Sequence, residues 1–206
     1  MVDVTIAILA GGNSKRFGSE KALAMFKKRP LITHMIDIAH QLSHNALVVV
    51  SDEQKMNEII PYAKGAQVVA DPEGGVRCAL NGAVTAFEHA ETEYTLLLPT
   101  DAPLAKPSLL RVLIEMSPRH GAVVPSWPSG HIEPLHSVYM TEHAYYHGLQ
   151  VIEAGKYRMT DMLAQLQAVL YVSTEALRQF DAKLDTFKNF NTLNDLRIAE
   201  RKGKKN

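Results

Sequence analysis

Short apolar runs alternate along this chain with stretches whose apolar residues recur every three or four positions. Val4–Leu9 is a nearly continuous apolar run that closes on Ala10-Gly11-Gly12, the pattern of a strand covered on both faces and followed by a glycine turn. Leu31, Met35, Ile38, Ala39 and Leu42 then fall at helical spacing, with Thr33, His34, Asp37 and Gln41 between them. A second β-branched run, 47–50, meets Ser51-Asp52, a pair suited to cap a short helix that carries Met56, Ile59 and Ile60 and stops at Pro61. Residues 67–70 predict a third strand ending at Asp71-Pro72, and 80–89 predict a helix. The clearest strand, 94–98, runs into Pro99-Thr100-Asp101-Ala102-Pro103; a helix over 108–115 and a strand over 122–125 continue the alternation.

After residue 125 the character changes. Trp127-Pro128-Ser129-Gly130 reads as a turn, and 133–140 as a strand that returns antiparallel. Residues 143–168 predict helix in two pieces broken near Gly155, then a strand over 169–172 and a last helix over 195–201. The expected fold is α/β: one doubly wound, mainly parallel, Rossmann-like sheet over residues 1–200 with an antiparallel strand in its C-terminal half. Residues 201–206 read as a flexible tail. Crossovers in such a sheet are right-handed, and ligands sit outside the carboxyl ends of its strands where the strand order reverses. Three of those ends carry chemistry: Gly11-Gly12, Asp71 and Asp101.

Charge and composition narrow the partners. Lys plus Arg and Asp plus Glu both number 22, so no bulk positive field exists to capture nucleic acid or an anionic membrane. No apolar run approaches the ~20 residues of a membrane span, and the first residues lack the pattern of a secretory leader. The single cysteine, Cys78, cannot form an intrachain disulfide. These features point to a cytoplasmic protein.

The segment from Leu9 to Leu23 is the richest in chemistry. Glycines after a buried strand let the backbone approach a ligand and present N–H groups to an anion, and Lys15, Arg16 and Lys21 add mobile cations. A nucleoside triphosphate suits that combination, although neither G-x-G-x-x-G nor G-x-x-x-x-G-K-[ST] is present. Asp101, in a proline-bracketed turn after the most apolar strand, is placed for Mg²⁺, which accepts one or two carboxylates together with substrate phosphates. Asp71 reads equally as a site carboxylate or a turn residue. Within Asn189-Phe190-Asn191-Thr192, Thr192 suits a helix cap and Asn191 a site role. His143 and His147 stand at i, i+4 without a third ligand nearby, so they read as surface or partly buried histidines. Cys78 has no neighbouring base and reads as a buried small hydrophobe.

Leu9-Ala10-Gly11-Gly12, Arg16-x-Gly18, Lys21, Asp71 and Pro99-x-Asp101-x-Pro103 together resemble the nucleotidyltransferases of the doubly wound nucleotide-diphospho-sugar transferase fold. Glu133-Pro134-Leu135-His136-Ser137-Val138-Tyr139 and Phe187-x-Asn189-x-Asn191-Thr192 are similar, more narrowly, to the molybdenum cofactor guanylyltransferases. The resemblance runs from about residue 4 to residue 198. It implies transfer of GMP from GTP to the phosphate of molybdopterin, with Mg²⁺ and release of pyrophosphate. By the same resemblance Leu9, Ala10, Gly11 and Gly12 would hold the guanine and ribose, and Asp71 would orient the nucleoside. Arg16 and Lys21 would grip the triphosphate, Asp101 would hold Mg²⁺, and Lys156, Arg158, Asn189 and Asn191 would form the pterin side. The N-terminal half would then bind nucleotide and the C-terminal half the acceptor, with transient proteins delivering or receiving the labile cofactor.

Two departures bear on the substrate. Glu20 replaces the usual Asp before the lysine, and Cys78-Ala79-Leu80-Asn81-Gly82 stands where Gly-Pro-Leu-x-Gly is usual. Loss of that glycine and proline changes how the backbone approaches the nucleoside. Cytidylyl transfer to molybdopterin, transfer to a sugar phosphate, phospholactate or cobinamide, and a nucleotide-binding adaptor without turnover are the alternatives.

Overall fold

The computed structural model describes residues 2–11 and 21–203. Its elements, in chain order, begin with β1 (Val4–Leu9), a 3-10 turn (Lys21–Leu23), the hairpin β2 (Met25–Phe26) and β3 (Arg29–Pro30), and α1 (Leu31–His40). There follow β4 (Ala46–Val50), α2 (Glu53–Ile59), β5 (Gln67–Ala70), α3 (Ala79–His89), β6 (Tyr94–Pro99), α4 (Pro107–Glu115) and β7 (Ala122–Ser126). The last part holds a 3-10 turn (Pro134–His136), β8 (Val138–Met140), α5 (Thr141–Glu153), α6 (Met159–Leu163), β9 (Val169–Ser173), α7 (Thr174–Leu177) and α8 (Leu193–Gly203).

Seven of the described strands form one sheet in the order β5-β4-β1-β6-β8-β7-β9. The pairs β1/β4, β1/β6, β4/β5 and β7/β9 are parallel, and β8 alone runs against its neighbours β6 and β7. This is the doubly wound, mainly parallel sheet that the alternation predicts. Continuous apolar runs are needed because both faces are covered. Ile6, Ile8, Val48, Leu96 and Leu98 point into one core with Met35 of α1 and Leu113 of α4. Ala7, Leu47, Val49 and Leu97 point into the other with Leu80 and Phe87 of α3 and Met162 of α6. Side chains alternate across a strand, so a run apolar at every position can fill both.

The register of β1 on β6 places Leu9 opposite Pro99. Thr100 reinforces the pair: its N–H and its hydroxyl both donate to the Leu9 carbonyl, at 3.3 and 2.7 Å. The strand order reverses at this point, with β4 and β5 continuing to one side and β8, β7 and β9 to the other, and a ligand crevice belongs at the carboxyl ends of such a junction.

Two expectations need correction, and one hairpin was not anticipated. Only Val138–Met140 of the anticipated 133–140 strand is β; Pro134, without an N–H and with a fixed φ, starts a 3-10 turn in which His136 N–H donates to Glu133 O. The β2–β3 hairpin turns on Lys27 and Lys28, at φ +48° and +65°, where hairpin turns ordinarily carry Asn-Gly. The last helix spans Leu193–Gly203 rather than 195–201, so residues 201–203 of the expected tail are helical, and 204–206 lie outside the described residues. The break within 143–168 falls as expected, with Gly155 at φ +71°, a backbone region that costs glycine little.

Candidate active site

The carboxyl ends of β1, β4, β5 and β6 open into a cleft of about 390 Å³ whose lining includes Leu9, Ala10, Gly11, Lys21, Asp71, Asp101 and Asn189. Leu9 and Ala10 form its floor while their backbone groups hold the sheet together. Leu9 O is taken by Thr100, and Ala10 N–H donates to Val49 O at 2.7 Å. Gly11 passes so close to β4 that a Cβ there would lie 3.2 Å from the Ser51 nitrogen. A larger residue would push the turn away from the strand end.

Lys21 reaches the cleft from its 3-10 turn and forms an ion pair with Asp101 across 80 positions of sequence. Their side chains are 20% and 13% exposed, so the charges are mostly shielded yet open toward the crevice. Asn191 Oδ1 accepts from the same ammonium at 3.4 Å. Phe190 N–H donates to the Asp101 carbonyl at 2.9 Å, which ties the closing segment to the Asp101 turn. Thr192 caps α8 as expected: its hydroxyl accepts from Asp195 N–H, and Asp195 Oδ2 accepts from the N–H groups of Asn191 and Thr192.

Asp71 stands one residue beyond β5, with its N–H bonded to Val50 O. Burial pushes its carboxyl above the usual carboxylate range, against the opposing pull of hydrogen bonds from Thr85 and Asn81 and of the Arg77 charge. The Thr85 hydroxyl donates to Oδ1 at 2.7 Å. A carboxylate held part-buried by a helix side chain, beside a cleft, suits recognition of ligand hydroxyl or amino donors.

Gly12 and Arg16 lie outside the described residues, as do Lys15, Gly18 and Glu20. Lys156 and Arg158 are exposed on the link between α5 and α6 and do not line the cleft. α5 starts beside Glu93 at the amino end of β6, and a helix of 13 residues spans about 20 Å, so this link sits at the cleft's end of the sheet. Cys78 departs from its expected role. It is half-buried, lines the cleft and caps α3, with Sγ accepting from Asn81 N–H at 3.4 Å. Arg77, beside it, pairs with Asp52 at 3.3 Å and also lines the cleft; nothing in its sequence surroundings marked it. Thr85 was hidden for a different reason, since its helical position reads as ordinary core. His143 and His147 are partly buried with their Nε2 atoms 3.1 Å apart, and no cluster of three potential metal ligands occurs among the described residues.

Asp101 offers one carboxylate of hard oxygen donors, too few for an all-protein cage but sufficient for Mg²⁺ that completes its shell with phosphate oxygens and water.

Apolar floor, glycine turn, lysine against carboxylate and a strand-order reversal define a nucleotide-binding protein of the doubly wound α/β class. A family model described as a MobA-like NTP transferase domain matches residues 6–169, and the chain belongs to that family of nucleotidyltransferases. A probable molybdenum cofactor guanylyltransferase of Pyrococcus horikoshii is 32% identical over 197 residues, covering 93% of this chain and 96% of its own. Its counterpart in Methanosarcina mazei is 26% identical over 201 residues, covering 92% and 86%. Among solved structures, molybdopterin-guanine dinucleotide biosynthesis protein A from Archaeoglobus fulgidus superposes with a TM-score of 0.83 at 27% identity, over 98% of this chain and 100% of that one.

Proposed function

We propose that this protein transfers GMP from GTP to the phosphate of molybdopterin, forming the guanine dinucleotide cofactor and pyrophosphate. The observation that carries this reading is the Lys21–Asp101 pair at the junction of β1 and β6, in a chain similar over nearly its whole length to proteins named as molybdenum cofactor guanylyltransferases. An oxygen of the acceptor phosphate attacks the α-phosphorus of GTP; the new P–O bond forms as the bond to pyrophosphate breaks. A phosphate monoester is already ionised at neutral pH and needs no general base, so the protein's work is positioning and charge neutralisation.

The residues divide that work. Leu9, Ala10, Gly11 and Gly12 seat the base and ribose, and Asp71, held by Thr85, orients the nucleoside. Lys21 and Arg16 neutralise the triphosphate. Asp101 holds Mg²⁺, which when bound supplies a further counter-charge to the phosphates. Asn189, at the cleft wall beyond β6, opens the acceptor side, with Lys156 and Arg158 farther out as mobile cations for the acceptor phosphate. The N-terminal half is thus the nucleotide half and the C-terminal half the acceptor half. No described helix is long and apolar enough to cross a membrane; a cytoplasmic location is part of the proposal. Proteins that hand over or collect the labile cofactor would meet it at this open cleft.

Cys78 and Ala79, which stand where the glycine and proline are usual, line the cleft together with Gly82, and that observation keeps cytidylyl transfer as the second reading. The test is the rise in unfolding midpoint with GTP, CTP, ATP or UTP in the presence of Mg²⁺, followed by acceptor-dependent pyrophosphate release with the preferred nucleotide. The expected result is the largest rise and the only turnover with GTP. A preference for CTP in both would replace guanylyl with cytidylyl transfer, and no response to any triphosphate would overturn nucleotidyl transfer.

A further inference from the structure

The resemblance assigns Asn191 to the acceptor side, yet its amide oxygen lies against the Lys21 ammonium at 3.4 Å. We infer that Asn191 is a positioning residue for Lys21, and that the segment it belongs to strengthens the nucleotide half of the cleft. The inference rests on the nucleotidyl-transfer reading.

Lys21 has a long, flexible stem whose ammonium can occupy many places near its turn. Among the described residues, two oxygens from distant parts of the chain hold it: Asp101, at the end of β6, and Asn191, just before α8. The second is held in turn by its neighbours. Asn191 N–H donates to Asp195 Oδ2, and Phe190 N–H donates to Asp101 O. Phe190 and Leu196 pack with Ala24, Phe26 and Leu31 in a separate small core, and Glu200 Oε1 accepts from Lys27 N–H in the hairpin turn. One strap therefore clamps both the hairpin that follows Lys21 and the turn that carries Asp101. These contacts lie beyond residue 169, where the family match ends.

The neutrality of the amide matters. Asp101 already sets one negative charge against Lys21, and an amide oxygen orients the ammonium without adding a second. A carboxylate at the same place would put a second negative charge beside Lys21 and repel the β- and γ-phosphates. Side-chain substitutions at 191 leave the α8 cap in place, because that bond is made by the backbone N–H.

The experiment measures binding by calorimetry, without acceptor, for the wild type, Asn191→Ala and Asn191→Asp. The ligands are Mg²⁺-GTP and, separately, GMP, which lacks the β- and γ-phosphates. Asn191→Ala should weaken GTP about three- to tenfold. Asn191→Asp should weaken it about 10- to 100-fold, with the deficit shrinking as salt rises. GMP affinity and the nucleotide-free unfolding midpoint should change little in either variant. Equal losses for GTP and GMP, or unchanged GTP affinity with a raised KM for molybdopterin, would overturn the inference, the latter by making Asn191 an acceptor ligand. If the wild type binds no nucleotide at all, nucleotidyl transfer itself fails and this inference with it.

Discussion

Asp71 on the β5 side of the cleft and Glu133 on the β8 side are comparably buried carboxylates with opposite electrostatics. Around Asp71, burial outweighs the hydrogen bonds from Thr85 and Asn81, and the charged form is disfavoured. Around Glu133, burial is outweighed by His136 and Trp127, and the carboxyl is held below its ordinary range. The Trp127 indole N–H donates to Glu133 Oε1 at 2.8 Å, and His136 Nδ1 approaches Oε2 at 3.7 Å. Asp71 lines the cleft, whereas Glu133 is not among its lining residues. One carboxylate is left under-compensated where a ligand can complete it. The other is held by the Trp127 indole across the 127–133 turn. Sites commonly give up stability in this way for function.

The comparison extends to Asp101, the carboxylate proposed above to hold Mg²⁺. Asp101→Ala removes both a partner of Lys21 and the proposed Mg²⁺ ligand, and should lower turnover at least about 100-fold, the scale of losing one preorganised charge contact. Steady-state pyrophosphate release measures this. GTP affinity should fall by less than about tenfold, because Lys21 remains to meet the phosphates. Undiminished turnover would take Asp101 out of the chemistry and return it to a purely structural role.

Asp71 and Glu133 should separate next, in opposite directions with pH. A native carboxyl raised above its unfolded value binds more protons folded than unfolded. Its contribution to stability is therefore complete below the unfolded value near 3.9 and is lost as pH rises through the native value. Asp71→Asn should accordingly raise the nucleotide-free unfolding midpoint at pH 7 by about 2–4 °C and flatten its decline above pH 4. Glu133 contributes stability above its unfolded value near 4.3 and loses it as pH falls through a lower native value. Glu133→Gln should lower the midpoint at pH 7 by a similar amount, and the difference from wild type should close in strong acid. Shifts of the same sign in both variants would dissolve the contrast between the two walls.

The same contrast explains what was legible in the sequence. On the nucleotide wall the groups follow directly from strand ends, and a strand end is visible wherever an apolar run meets glycine, proline or aspartate. Leu9, Asp71 and Asp101 follow from that rule, and the Thr192 cap from a threonine just ahead of the last helical run. Away from the strand ends the chain is shaped by turns whose geometry depends on distant packing. The 3-10 turn at Pro134 lies inside a stretch that reads as strand, and the Lys27-Lys28 turn, which follows Lys21, lacks the residues that usually mark a hairpin. Lys156 and Arg158 came only from the resemblance, and their exposure on the α5–α6 link leaves them outside the cleft wall. Asn191 was marked as a site residue, but the side it serves depends on a contact with Lys21 across 170 positions, which no local pattern can encode.

Cys78 offers the finest adjustment of the nucleotide wall. Its extended backbone, φ −146° and ψ 166°, and the bond from Asn81 N–H to Sγ make it the N-cap of α3. Sulfur is a weak acceptor, and a serine oxygen in the same place caps a helix far better. Cys78→Ser should therefore raise stability by about 0.5–1 kcal/mol, seen as about 1–4 °C in the unfolding midpoint. Turnover should change by less than about threefold, because the thiol meets the cleft as a small packed surface beside Leu9 and Leu80 and carries no charge the reaction needs. A loss of turnover beyond tenfold with GTP affinity intact would mean that the thiol takes part in the chemistry. A change of base preference, with stability raised as expected, would instead make the 78–82 loop the part of the wall that reads the nucleotide.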